Sequence, residues 1–490
     1  MKNRDVLLDA IGDVDEKLIP KIPTKKKKSG IIKWAAVASV SVAAIVLVCA
    51  MILRPNDKIK TSGTDSSGLT PSATDTDYKD SYMLLASPVY PQLPSYPSED
   101  GYEEYKQWSD AVHELHDQPD GYRDGFDDFF LNSSKVFLTG AEKENVIYSP
   151  LSLYMALAMS AEITGGNSQS QILDVLSQES IEELRQNAKS MWLANYMDDG
   201  MAKCILANSL WTNEFSSYNH ETLDAVAENY YSSVFSGDPA TDEYNKLFQD
   251  WLNNQTDGLL SDYVSGIEMD PEMILAIAST VNYSGKWEHK FSENNTTEKI
   301  FHSVDGDVTC EFMRSGSLGS YYWGDKFGSI SLPLENNGEM RIILPDEGIS
   351  PQELIYDEQA LSFMLDRRSY ENSKYVQINL ALPKFDVSSD IDLRDGLREL
   401  GITDIFDSSK ADFSRLTDIG NVALTEAKQD ARVMIDEEGC KAVAMTVLIL
   451  DRSAMPEDKV DFTVDRPFIF EIVSETGSPL FIGIVNNPTA

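Results

Sequence analysis

The sequence predicts an α+β fold with large antiparallel sheets. Helical periodicities come early in the globular part and β-rich runs dominate its end, with no internal repeat between them. The chain has 490 residues, 42% of them hydrophobic. That is enough to bury a large core, in one mixed domain with appendages or in several.

The amino-terminal end sorts itself by charge. A lysine run (Lys25, Lys26, Lys27, Lys28), joined by Lys33, precedes an uncharged run of 20 residues from Trp34 to Leu53, closed by Arg54 and Pro55. As a helix such a run spans about 30 Å, the hydrocarbon thickness of a bilayer. The reading is therefore a basic cytoplasmic head over residues 1–30 and a transmembrane anchor over residues 31–53. The positive-inside rule then puts the rest of the chain outside the membrane as a single-pass, extracytoplasmic domain. A cleaved secretory signal, with Val48 and Ala50 as its small-residue site, is the rival reading. Residues 54–120 read as linker and extension. Ser, Thr, Asp and Gly dominate from Asn56 to about Tyr82, too little apolar surface to offset ordering entropy, so a flexible tether is expected. A Pro- and Tyr-rich stretch follows (SPVYPQLPSYPSEDGYEEY), and its packing is left open.

The globular domain covers residues 121–490. Tyr122, Phe126, Phe129, Phe130 and Phe137 fall at near-helical spacing and mark a first amphipathic helix. Ser149-Pro-Leu-Ser152 leads into LYMALAMSAEITGG, an apolar helix with small residues for close packing beneath a sheet and Gly165 and Gly166 as its stop. MILAIASTVNYSGKW reads as a long buried strand ending in a glycine turn. Leu393 to Leu400 is amphipathic and closed by Gly401. DRPFIFEIVSETGSPLFIGIVNNP reads as a β-hairpin.

Several function classes are disfavoured. A formal net charge of −39 argues against nucleic acid and heparin-type polyanions, which require a basic face. The cysteines at 49, 204, 310 and 440 match no zinc spacing. With Cys49 in the apolar run, three remain, so no disulfide framework and at least one free thiol are expected. His113 and His116 sit in HELH, which is not the HExxH of zinc proteases. No nucleophile elbow, phosphate loop or dinucleotide fingerprint occurs. Neither an enzyme nor a cofactor is expected.

Six blocks then occur in order: NVIYSPLSLYMALAMSAEITGGNSQSQILDVL; WLNNQTDGLLSDYV; STVNYSGKWEHKF; LPKFDVSSDIDLRDGLRELGITDIFDSSKADFSRLT; IDEEGCKAVAMT; and the closing DRPFIFEIVSETGSPLFIGIVNNP. Over roughly residues 120–490 the chain thereby resembles the serpin family of protease inhibitors, and with its anchor it is most similar to surface-displayed bacterial members. The resemblance implies a helical half packed on three mainly antiparallel β-sheets, with an exposed reactive-centre loop. It also implies a monomeric suicide inhibitor of serine or cysteine proteases. In the family, the cleaved loop inserts into the main sheet while the protease is held as an acyl-enzyme. A non-inhibitory serpin, acting as a binding or structural module, is the alternative.

The residues themselves bear on insertion. After the hinge Glu437, Glu438 and Gly439, alternate positions Cys440, Ala442, Ala444 and Thr446 are all small, and Lys441 falls on the other face. Small residues suit a strand that must slide over a packed core. No proline occurs from Gly439 to Met455, so every N–H is free for a ladder. Roughly a dozen new bonds would contribute on the order of 10 kcal/mol before entropy. A bulky oxidised form of Cys440 would jam this step.

Carried over from the family, Ser149, Ser152, Ser279 and Gln429 form a polar cluster beneath the sheet, and Trp287 stands where insertion begins. Ser279 and Gln429 replace the usual Asn and His. Gln still donates and accepts, whereas the shorter Ser279 puts a partner in doubt. Counting forward from Gly439 places the scissile bond at Ser453–Ala454, or at Arg452–Ser453 with a loop one residue shorter. Counting back from Pro467 lands at Pro456. Arg452 suits a trypsin-type protease and Ser453 a small-pocket one, whereas Met455–Pro456 is a poor bond.

Overall fold

The helix Pro150–Ile163 is apolar on every side because it is enclosed on every side, with all 14 residues buried. Ser149 caps it by accepting from the Ser152 N–H, and Pro150 fills the first position, where no donor is needed. This helix lies against β-strands from two different sheets. The computed structural model describes residues 44–55, 82–97, 101–139, 142–199, 202–335, 338–439 and 458–490. The basic head, the tether from Asn56 onward and the loop after Gly439, with Cys440, Ala442, Ala444, Thr446, Arg452, Ser453 and Ala454, lie outside the described residues.

The first sheet runs in the order β13 (Phe385–Asp392), β14 (Val422–Ile435), β1 (Ala44–Pro55), β7 (Leu275–Ser284), β5 (Lys203–Asn213), β6 (Ser232–Gly237) and β2 (Tyr82–Ala86), with β4 (Met197–Asp198) paired to β5. Among the described residues of this sheet, only β5 and β6 pair in parallel. The second network runs β15 (Lys459–Thr463), β12 (Ser373–Pro383), β9 (Gly306–Trp323), β10 (Phe327–Pro333), β11 (Glu339–Pro345), β16 (Phe468–Val473), β17 (Pro479–Val485) and β3 (Val146–Tyr148), with β8 (Thr297–Ser303) paired to β9. At 18 residues, β9 is long enough to pair with β12 along most of its length and with β10 near its end. It therefore links β15, β12 and β8 to β10 and the strands beyond it in one hydrogen-bonded network.

The expected elements are in place. The helix Phe126–Phe137 buries Phe126, Phe129, Phe130 and Phe137 on one face. Gly401 closes the helix Arg394–Leu400 in the left-handed region, with φ of 115°, a conformation glycine adopts at no steric cost. β16 and β17 form the closing hairpin, buried throughout.

The Pro- and Tyr-rich stretch packs on the domain. β2 extends the first sheet beyond β6. Tyr90 stacks on Trp192 at 5.3 Å, and Trp192 stacks on Tyr231 at 3.8 Å. From the helix Tyr102–His116, the Trp108 indole donates to Asp199 at 2.9 Å.

The membrane anchor is overturned. Among the described residues no helix is long and apolar enough to cross a membrane. Ala44–Leu53, the second half of the apolar run, forms most of β1 instead, paired on both edges. With the anchor goes the single-pass placement in the cell membrane. The physical reason is that a central strand, flanked on both edges, reads as a continuous apolar run just as a membrane helix does. Ile45, Val46, Val48 and Ile52 are β-branched, which suits the pleated backbone.

Candidate functional site

Two strands of the first sheet are fastened to one helix start. Gln429 on β14 and Ser279 on β7 both reach the capped start of the helix Pro150–Ile163. The Gln429 side-chain amide accepts from the Ser149 N–H at 3.3 Å and donates to the Ser149 carbonyl at 3.2 Å. Ser152 Oγ donates to the Ser279 carbonyl at 3.1 Å, with Ser279 Oγ at 3.3 Å. Ser149, Ser152, Ser279 and Gln429 are all buried. Here Ser279 has its partner, and Gln429 pairs with the backbone much as a neighbouring strand would. In register, Cys49 of β1 lies between Gln429 and Ser279, so the helix start ties together the two strands that flank β1.

The upper end of β14 is held by a second cluster. The Trp287 indole donates to the Asp436 carbonyl at 2.8 Å, and the Phe291 N–H donates to the Glu437 carbonyl at 3.1 Å. Glu437, itself buried, accepts from Thr296 Oγ1 at 2.6 Å and pairs with Lys384 at 3.0 Å. Glu438 pairs with Lys290 at 3.1 Å. Gly439 has φ of 70°, and a Cβ there would stand 2.4 Å from the Trp287 nitrogen. Only glycine fits that turn without moving backbone.

Burial alone would raise the Glu437 pKa, but the Thr296 hydroxyl and Lys384 hold it below the usual glutamate value. A lowered folded-state pKa stabilises above the ordinary glutamate range, and that contribution is lost as pH falls through the folded value. This contribution to holding the hinge is thus present at neutral pH and lost in acid. Thr296, Lys384 and Phe291 were not singled out from sequence. Each lies on a segment remote from the hinge, and no local pattern announces the pairing.

Asp430 and Asp390 face one another across β14 and β13. Burial, then the Asp390 charge, pushes the Asp430 pKa up to about 6, with Lys428 opposing. A raised carboxylate pKa gives stability that is present below the unfolded value and lost as pH rises through the folded one. Asp430→Asn is therefore expected to raise stability at about pH 7.5 by roughly 1 kcal/mol, after allowance for solvent screening of a half-buried group. Thermal unfolding of both proteins checks this, because the gap should close below about pH 4. A gap independent of pH would assign the effect to packing.

The predicted site residues that fall among the described ones thus divide in two. Ser149, Ser152, Ser279 and Gln429 meet beneath the sheet. Trp287, Glu437, Glu438 and Gly439 meet at its upper end. A family model described as serpin (serine protease inhibitor) matches residues 125–488. Alpha-1-antiproteinase of Bos taurus is 31% identical over 355 residues, 70% of this chain and 83% of that protein. The native-state crystal structure of tengpin, a thermophilic serpin, aligns at a TM-score of 0.65 with 28% identity, covering 75% of this chain and 95% of that one. Human thyroxine-binding globulin in complex with its hormone shares the fold, with a TM-score of 0.64 at 22% identity over 77% of this chain and all (100%) of that one.

Proposed function

This chain belongs to the serpin family, and from that premise we propose that it is a suicide inhibitor of serine or cysteine endopeptidases. The family is one of protease inhibitors rather than catalysts. The observation that carries the reading is the hinge. Gly439 turns the chain at the upper end of β14, beside Trp287, and the small alternating residues Cys440, Ala442, Ala444 and Thr446 follow it.

The chemistry belongs to the protease. Its serine oxygen or cysteine sulfur attacks the carbonyl carbon of Arg452, or of Ser453 in the alternative register. An ester or thioester forms, the peptide bond breaks, and the leaving nitrogen of Ser453 or Ala454 takes up a proton as the new amine. The freed amino-terminal arm of the loop then enters the first sheet beside β14, carrying the acyl-enzyme with it. New ladder bonds drive the step, and distortion of the protease leaves the ester unhydrolysed.

Mixing the protein separately with trypsin, elastase and subtilisin tests this. A complex stable on a denaturing gel, at any yield, is the expected result. The mass of the released carboxyl-terminal peptide chooses between Arg452–Ser453 and Ser453–Ala454. Loop cleavage with no complex from any protease would sink the inhibitory reading and favour a binding module. Thyroxine-binding globulin shows that a protein of this fold can bind thyroxine.

A further inference from the structure

We propose that Ala44–Pro55 is a built-in occupant of the insertion slot, which must leave the sheet before the reactive loop can enter. The proposal rests on the inhibitor reading above.

Four observations carry it. β1 lies between β14 and β7, and β14 is the strand that the hinge continues. β1 is antiparallel to both neighbours, the direction a chain takes when it turns back at Gly439 and runs down β14. Its pairing is extensive: Val46 to Pro55 are registered against Arg432 to Val422, and Ala44 to Leu53 against Ser284 to Leu275. Finally, the lengths match. From Cys440 to Arg452 the loop has 13 residues, and β14 has 14. Of those 14, β1 leaves only Val433, Met434 and Ile435 at the hinge end beyond its register, among the described residues.

A strand edge pairs with one partner at a time. While β1 is in place, the loop can enter by little more than those three positions. Full insertion must expel β1 before the acyl-enzyme is hydrolysed. β1 therefore sets the partition between trapping a protease and being cut as a substrate, and withdrawal of the amino-terminal segment arms the inhibitor.

The test uses the full chain and two variants, Val48→Pro and Met51→Pro, because proline removes a ladder donor from a strand paired on both edges. In the wild type, amides 44–55 are expected to be protected from hydrogen exchange, and several chains should be cleaved per protease trapped. In either variant those amides should exchange freely. The number cleaved per protease trapped should fall by about tenfold, equivalent to about 1.4 kcal/mol. Loop cleavage should then raise the thermal midpoint of the variants but not of the wild type.

Free exchange of 44–55 in the wild type would overturn the proposal. So would a wild type that traps one protease per chain, which would leave the inhibitor reading intact. Protected amides in the wild type, with no complex from the wild type or from either variant, would overturn the inhibitor reading and the gate with it.

Discussion

Cys440→Arg is expected to turn an inhibitor into a substrate. The complex should disappear from the denaturing gel while the rate of loop cleavage stays the same. Position 440 is the first after the hinge, and Cys440, Ala442, Ala444 and Thr446 share one face of the strand that would form. An arginine there brings a long charged side chain to a sheet packed above the buried helix Pro150–Ile163. Burying that charge without a partner costs several kcal/mol. This is comparable to the roughly 10 kcal/mol that a dozen ladder bonds contribute before entropy. Insertion falls behind hydrolysis, and the acyl-enzyme releases active protease. Ala442→Arg should behave alike, whereas Val443→Arg, on the other face, should retain the complex. An unchanged ratio of inhibitor consumed to protease trapped in Cys440→Arg would sink the alternation argument. Thiol modification of Cys440 should reproduce the arginine phenotype in proportion to the bulk added.

Gln429→Leu carries the largest expected loss of stability. The substitution nearly conserves volume, so the effect isolates the hydrogen bonds. Ser149 N–H would lose the amide oxygen at 3.3 Å in a fully buried position. The Ser149 carbonyl would lose the amide donor but keep the Leu153 N–H at 3.2 Å. One orphaned donor and one weakened acceptor cost about 2–4 kcal/mol, a fall of several degrees in the thermal midpoint. Gln429→His, which still donates and accepts, should recover part of it. Thermal and urea unfolding of the two variants measure the difference. A loss below about 1 kcal/mol for leucine would mean that water replaces the amide.

Much of the fold was legible in residues near one another in sequence. The apolar helix after Ser149, its cap, the buried strand Leu275–Ser284 and the closing hairpin each follow from a local period and a local stop signal. The small face of the hinge segment is equally a sequence property. So is the grouping of Ser149, Ser152, Ser279 and Gln429, although only through likeness to a family. The role of each contact in that group was less legible. Ser279 looked too short to keep a partner, and it does so because Ser152 Oγ lies 3.3 Å away across the helix–sheet contact.

By itself, then, the sequence determined the elements, the α+β class and the family, because those depend on periodicity and on motifs in order. Tertiary structure alone decided two things. It paired Glu437 with Thr296 and Lys384, partners that no local pattern links. It also decided the fate of the apolar run ending at Leu53. A bilayer and the interior of a sheet make the same demand on a sequence, apolar side chains without charge. They differ in how the backbone is satisfied, within one helix or by neighbours on both edges. Those neighbours, β14 and β7, come from distant parts of the chain, and only the assembled fold brings them to Ala44–Pro55.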